Sequence, residues 1–94
     1  MTEVKLIVGS PEQAAILIAV LAEMNRAQQK HPKWPSDIIY MDQIINEEKG
    51  EATRAAVQYV MEGGSISELK TELVQTAATI LRMLNTINDY SETL

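Results

Sequence analysis

The sequence predicts an all-α fold in which three main helices pack as an antiparallel hairpin or bundle. Apolar residues recur at three- and four-residue spacing over three long stretches of the chain. A proline-containing loop separates the first two stretches, and a Gly-Gly pair separates the second from the third. We therefore expect helices at 10–29, 36–61 and 66–89, within a single domain of 94 residues.

The first helix follows a short arm or strand at residues 1–9. Ser10 can cap this helix, with Pro11 and Glu12 in its first turn. Residues 14–21 are apolar on nearly every side, which predicts burial on more than one side. Because the chain is small, we expect a subunit interface there, so that oligomerisation completes the bundle.

The loop after the first helix contains the only tryptophan and the only histidine of the sequence, Trp34 and His31. Two prolines prevent a helix from continuing through it. Trp34 can plug the end of the bundle. It can also belong to a lid that stacks on a nucleobase and offers Lys30 and Lys33 to phosphates.

The second helix begins at a Ser-Asp cap at 36–37 and ends at the Gly-Gly pair at 63–64. Residues 65–68 resemble a capping box for the third helix, and the short link makes these two helices antiparallel neighbours. The third helix carries a broad apolar arc: Leu69, Leu73, Ala77, Ile80, Leu84 and Ile87.

The apolar stripe of the second helix has a carboxylate at its centre. The stripe consists of Met41, Ile45, Ala52, Ala55 and Tyr59. Glu48 completes this series and Glu51 lies at its edge, while Lys49 and Arg54 point away. A buried ionised carboxylate costs several kcal/mol unless a proton, a basic partner or a cation compensates it. Alternatively, both carboxylates lean out to water from a helix rim.

Glu72, at the edge of the third helix's arc, can reach the same region. Glu48 and Glu51 lie about one helical turn farther from the Gly-Gly link than Glu72 and Gln75 do. Side-chain reach or a tilted crossing can close that difference.

Composition limits the kinds of ligand that the chain can bind. Without cysteine and with one histidine, a metal would be held by oxygen, which favours Mg²⁺ or Mn²⁺. The net charge of −5 argues against binding a DNA or RNA polymer, but a metal can bridge the chain to a small phosphorylated ligand. No apolar run is long enough for a membrane span, and no signal peptide is apparent, so we expect a cytoplasmic protein.

The acidic residues resemble a family signature. Glu-Glu-Lys-Gly-Glu at 47–51, followed by Glu-Leu-Val-Gln at 72–75, resembles the MazG-like all-α nucleoside triphosphate pyrophosphohydrolases, whose signature is E-x-x-E, a spacer and E-x-x-D. Glu48 and Glu51 match the first pair, and Glu72 matches the third acid. Gln75 stands where the family usually has Asp, which removes a negative charge.

Upstream residues extend the resemblance to roughly 20–87. Arg-Ala-Gln-Gln at 26–29 and Trp-Pro-Ser-Asp at 34–37 resemble the R-x-x-Q and tryptophan-containing segments of phage and bacterial members. The resemblance implies a homodimer or homotetramer with the all-α pyrophosphatase fold, which hydrolyses a (deoxy)nucleoside triphosphate to monophosphate and pyrophosphate.

The same resemblance assigns roles to individual residues. Glu48 and Glu51 are the catalytic acids, and Mg²⁺ is held by them together with Glu72 and the Gln75 carbonyl. Glu68 is a further candidate ligand. The substrate-binding candidates are Trp34 for the base and, for the phosphates, Lys30, Lys33, Arg54 and Arg82. The alternative is a catalytically inactive or altered helical module that binds a nucleotide or a protein partner.

Overall fold

The computed structural model describes residues 9–88 and residue 90, and these residues form three α-helices and no strand. The helices are α1 (Pro11–Lys30), α2 (Ile38–Met61) and α3 (Ile66–Ile87). The all-α class with three helices is thereby confirmed. The predicted arm or strand at residues 1–9 lies, except for Gly9, outside the described residues.

Each helix begins where a side chain accepts a hydrogen bond from a backbone N–H three residues later. The caps are Ser10, Asp37 and Ser65, with distances of 3.1, 2.8 and 3.2 Å. Asp37 rather than Ser36 caps α2, so this helix begins two residues after the expected position. After α2 the backbone turns through Gly63, whose φ of 73° favours glycine.

α3 is the central helix because it alone packs against both of the others. It contacts α2, to which it is joined by the short link at residues 62–65, and it contacts α1. No Cα atom of α1 lies within 8 Å of one in α2. The backbones of the two outer helices therefore stay apart on either side of α3, and a cleft opens between them.

A buried arginine fastens the loop at residues 31–37 to α3. The guanidinium carbon of Arg82 lies 4.5 Å from the centre of the Trp34 ring, and Nη2 donates a hydrogen bond to the backbone oxygen of His31. The indole N–H of Trp34 donates to Sδ of Met41 at 3.1 Å, and Met41 is fully buried. These contacts agree with Trp34 as a plug, and Arg82 covers one face of its ring.

The buried apolar core of the described chain is small. It consists of Val20, Met41, Ala52, Ala55 and Ala78. The expected burial of residues 14–21 is not met within one chain, since Ile16 and Ile18 are 60% and 67% exposed. α1 presents only one side to α3, so the opposite side of this stretch stays uncovered. Part of the α3 arc is exposed too: Leu73, Ile80 and Leu84.

We expect Met41→Ala to lower the free energy of unfolding by about 2–5 kcal/mol, because it removes a fully enclosed side chain and the sulfur that Trp34 contacts. Urea denaturation followed by circular dichroism measures the change. Ile39→Ala on the same helix is the control: Ile39 is 71% exposed, so its loss should cost less than about 0.5 kcal/mol. Equal costs for the two variants would contradict this description of the core.

Candidate metal centre and cleft

Three glutamates from two helices converge on one point. One carboxylate oxygen each from Glu48 and Glu51 on α2 and from Glu72 on α3 lie within 4.8 Å of one another. Glu48 and Glu51 share a face of α2 because they are three residues apart. The carboxylate of Glu72 lies beside them because α3 packs along that face of α2. The packing of the two helices thus compensates for the offset of one helical turn that the sequence positions suggest.

The three carboxylates differ in their exposure to solvent. Glu48 and Glu72 are half-buried, whereas Glu51 is exposed at the edge of the stripe. Burial raises the pKa of Glu48, and the negative charges of Glu51 and Glu72 raise it further. The pKa of Glu72 is also raised, first by burial and then by the charge of Glu51. Ionisation of Glu48 and Glu72 therefore lowers the stability of the folded protein.

No basic side chain among the described residues lies within 4.0 Å of these carboxylate oxygens. The one ion pair in the described part of the chain joins Arg26 to Glu23, outside the cluster. Oε2 of Glu72 is enclosed and has no hydrogen-bond partner. A buried acceptor without a partner is costly, and a proton, a water molecule or a bound cation can supply the interaction that the chain does not. Three close carboxylates and an unused oxygen fit a hard divalent cation such as Mg²⁺ or Mn²⁺.

A cleft of about 400 Å³ extends from this cluster towards the loop. Glu48 and Gln75 line the part near the carboxylates, and Trp34 and Arg82 line the part beside the loop. The floor is α3, the walls are α1 and α2, and the loop closes one end. A cleft of this volume is large enough for a small organic ligand.

Sequence reasoning did not identify Glu23 as part of this region. Glu23 on α1 lines the cleft, and its charge contributes to the raised pKa of Glu48. Both of its carboxylate oxygens accept hydrogen bonds from Arg26, and this pairing lowers the pKa of Glu23. The sequence signal for Glu23 was its position directly after the apolar run at residues 14–22, with Arg26 three residues later.

The substrate-binding candidates fall into three places. Trp34, Lys33 and Arg82 line the cleft, whereas Lys30 is exposed and is not among its lining residues. Arg54 borders a second groove of about 260 Å³ on the other side of the carboxylates. Glu51, Glu68 and Glu72 line this groove as well. Arg54 forms no ion pair with these acids, and it borders the groove because α3 packs beside α2 there.

Comparison of the chain with protein-family models, with curated proteins and with solved structures gives no match. The resemblance to the MazG-like enzymes therefore stays a prediction based on the order and spacing of the motifs. In the part of the chain that the structure describes, no helix has both the length and the apolar character that crossing a membrane requires.

We expect Glu48→Gln to raise the thermal midpoint at pH 7 by a few degrees in the absence of divalent cations. The native pKa of Glu48 is raised, so its ionised form destabilises the fold at neutral pH and the native state binds the proton more tightly. Wild-type stability should therefore rise as the pH falls from 7 through this raised pKa, until the unfolded chain is protonated as well.

Thermal unfolding in EDTA at several pH values tests this expectation. The rise on acidification should be smaller in Glu48→Gln, because Glu72 is then the remaining carboxyl of the cluster whose pKa is raised. Glu62→Gln, which changes an exposed glutamate at the end of α2, should keep the wild-type pH dependence. If Glu48→Gln were no more stable than wild type at pH 7, the electrostatic description of the cluster would be wrong.

Proposed function

We propose that this protein is a Mg²⁺-dependent hydrolase that converts a (deoxy)nucleoside triphosphate to the monophosphate and pyrophosphate. The observation that carries the proposal is the convergence of Glu48, Glu51 and Glu72 within 4.8 Å, with an enclosed oxygen of Glu72 left unpaired. A site of this kind suits a cation that in turn binds phosphate, because carboxylates alone would repel a triphosphate.

The three glutamates would hold Mg²⁺, with Mn²⁺ as a substitute. When bound there, the metal would neutralise charge on the phosphoryl oxygens and lower the pKa of a bound water. Gln75 lies one turn after Glu72 and lines the cleft beside Glu48, where its amide oxygen is available to the metal or to a water. Because Gln75 is neutral, the site carries one charge less than the family signature implies.

Glu48 and Glu51 are the candidate general bases for the attacking water. The water's oxygen forms a bond to the α-phosphorus, one of its protons passes to the carboxylate, and the bond from the α-phosphorus to its bridging oxygen breaks. Pyrophosphate leaves and the nucleoside monophosphate remains. A carboxylate placed against the reacting water is the arrangement that general-base catalysis requires.

The positions of the cations support an orientation for the substrate. Arg54 borders the groove beside Glu51 and Glu72, where it is available to the departing pyrophosphate. Lys33 and Trp34 line the cleft on the other side of the carboxylates, where the nucleoside part would lie. Lys30 is outside this cleft lining and would act only on a ligand that extends beyond it.

A homodimer or homotetramer is part of the same proposal. Ile16 and Ile18 on α1, and Leu73, Ile80 and Leu84 on α3, are each more than a third exposed in the single chain. Exposed apolar side chains in such number are typical of interaction surfaces. A second copy of the chain would cover them and enlarge the small core.

The alternative is a catalytically inactive or altered helical module that binds a nucleotide or a protein partner. Gln75 is the observation that favours it, because the family usually has Asp at this position. Ligand binding without turnover distinguishes the alternative from the enzyme: Mg²⁺ plus a nucleotide would raise the thermal midpoint by mass action, while no product formed.

We expect incubation with Mg²⁺ and a panel of nucleoside triphosphates to yield monophosphate and pyrophosphate, detected by chromatography. Glu51→Gln should lower turnover by at least about a hundredfold, the contribution typical of a general base or a metal ligand, and should leave the helical circular dichroism spectrum intact. Glu12→Gln, at the far end of α1 from the cluster, is the matched control and should retain activity.

Other product patterns would contradict the proposal in defined ways. Release of nucleoside diphosphate and phosphate would be consistent with the metal centre but would contradict the proposed cleavage at the α-phosphorus. A folded protein that releases no product with either Mg²⁺ or Mn²⁺ would favour the binding module. Wild-type turnover in Glu51→Gln would exclude this carboxylate from the site.

We expect Ile80→Glu to convert the oligomer to a single chain in light scattering, because a charge in the middle of the exposed α3 stripe would be buried without a partner. Asn85→Glu is the control, since Asn85 is exposed and lies about 120° around the helix from the stripe. If the wild-type protein already had the mass of one chain, the oligomer would be refuted.

A further inference from the structure

A buried cation lies at the end of the cleft away from the carboxylates. Arg82 is 7% exposed, and no carboxylate among the described residues lies within 4.0 Å of it. Burial lowers the pKa of its guanidinium, because the group has lost water without gaining a negative partner. The ring of Trp34 and the backbone oxygen of His31 are what the described chain supplies instead.

Most of the donors of Arg82 are unused. A guanidinium has five N–H groups, and this one makes a single hydrogen bond, to His31, within the described residues. Among those residues, the one enclosed side-chain polar atom without a partner is Oε2 of Glu72, so the other nitrogens of Arg82 are not enclosed. Since Arg82 lines the cleft, these N–H groups are available to a ligand there.

The separation of Glu72 and Arg82 along α3 indicates which part of a bound nucleotide the N–H groups of Arg82 would contact. Arg82 follows Glu72 by ten residues, which corresponds to about 15 Å along the helix axis. Arg82 therefore borders the part of the cleft that lies away from a phosphate held at the carboxylates. On the proposed function, which this step assumes, the nucleoside extends along the cleft and places its base beside Trp34 and Arg82.

We propose that Arg82 determines base specificity by selecting a base that presents two adjacent hydrogen-bond acceptors, namely guanine or cytosine, over adenine. A guanidinium is a rigid fork of donors with no acceptor, so it pairs best with two neighbouring acceptors. Guanine offers O6 and N7, and cytosine offers O2 and N3. Adenine has an amino donor beside N7 and beside N1, so the second bond of the fork is lost.

Isothermal titration with dGMP, dCMP, dAMP and dTMP in the presence of Mg²⁺ tests this selection without requiring turnover. We expect dGMP or dCMP to bind at least about tenfold more tightly than dAMP, the discrimination typical of one bidentate arginine contact. Arg82→Lys keeps the charge and removes the fork, so the ratio should fall towards one. Lys49→Gln, which removes an exposed cation that does not line the cleft, should preserve the ratio.

Three results would overturn the assignment: dAMP binding as tightly as dGMP and dCMP, an unchanged ratio in Arg82→Lys, or no binding of any monophosphate. If Arg82→Lys does not fold, as judged by circular dichroism, the wild-type ranking of the four bases decides the matter. Because the experiment measures binding alone, a protein that binds guanine or cytosine selectively but hydrolyses no triphosphate would refute the proposed reaction and retain this assignment.

Discussion

Uncompensated negative charge between α2 and α3 is the constraint on which the arrangement of this protein depends. Glu48 interrupts an apolar stripe, and the packing of α3 brings Glu72 to within 4.8 Å of it. Apolar residues at both positions would stabilise the interface, whereas the carboxylates oppose it through desolvation and mutual repulsion. Destabilising groups held together in this way are typical of functional sites, where stability is lower than the fold permits.

α3 connects the two ends of the cleft and gives them opposite charge. Glu72 lies near one end and the buried guanidinium of Arg82 lies about 15 Å along the same helix. Because one rigid helix carries both groups, their separation is fixed by its rise per residue. Arg82 also holds the loop that closes the cleft, so ligand contact and loop position are coupled through one side chain.

Much of the fold followed from local sequence signals. Capping residues and the spacing of apolar residues predict three helices because these signals act within a few positions. Glu48 at the centre of a stripe likewise indicated a half-buried carboxylate. Glu23 was missed, because its place beside the cluster depends on how α1 packs against α3. The environment of Arg82 could not be predicted from the sequence either, because its hydrogen bond joins residues 51 positions apart.

Anomalous diffraction from crystals grown with Mn²⁺ tests directly whether the three glutamates form a metal centre. We predict an anomalous peak coordinated by oxygens of Glu48, Glu51 and Glu72, at metal–oxygen distances of about 2.0–2.2 Å. The same crystals of Glu72→Gln should show a weaker peak or none. Full Mn²⁺ occupancy elsewhere on the chain, with the three carboxylates free of metal, would show that the cluster is not a metal centre.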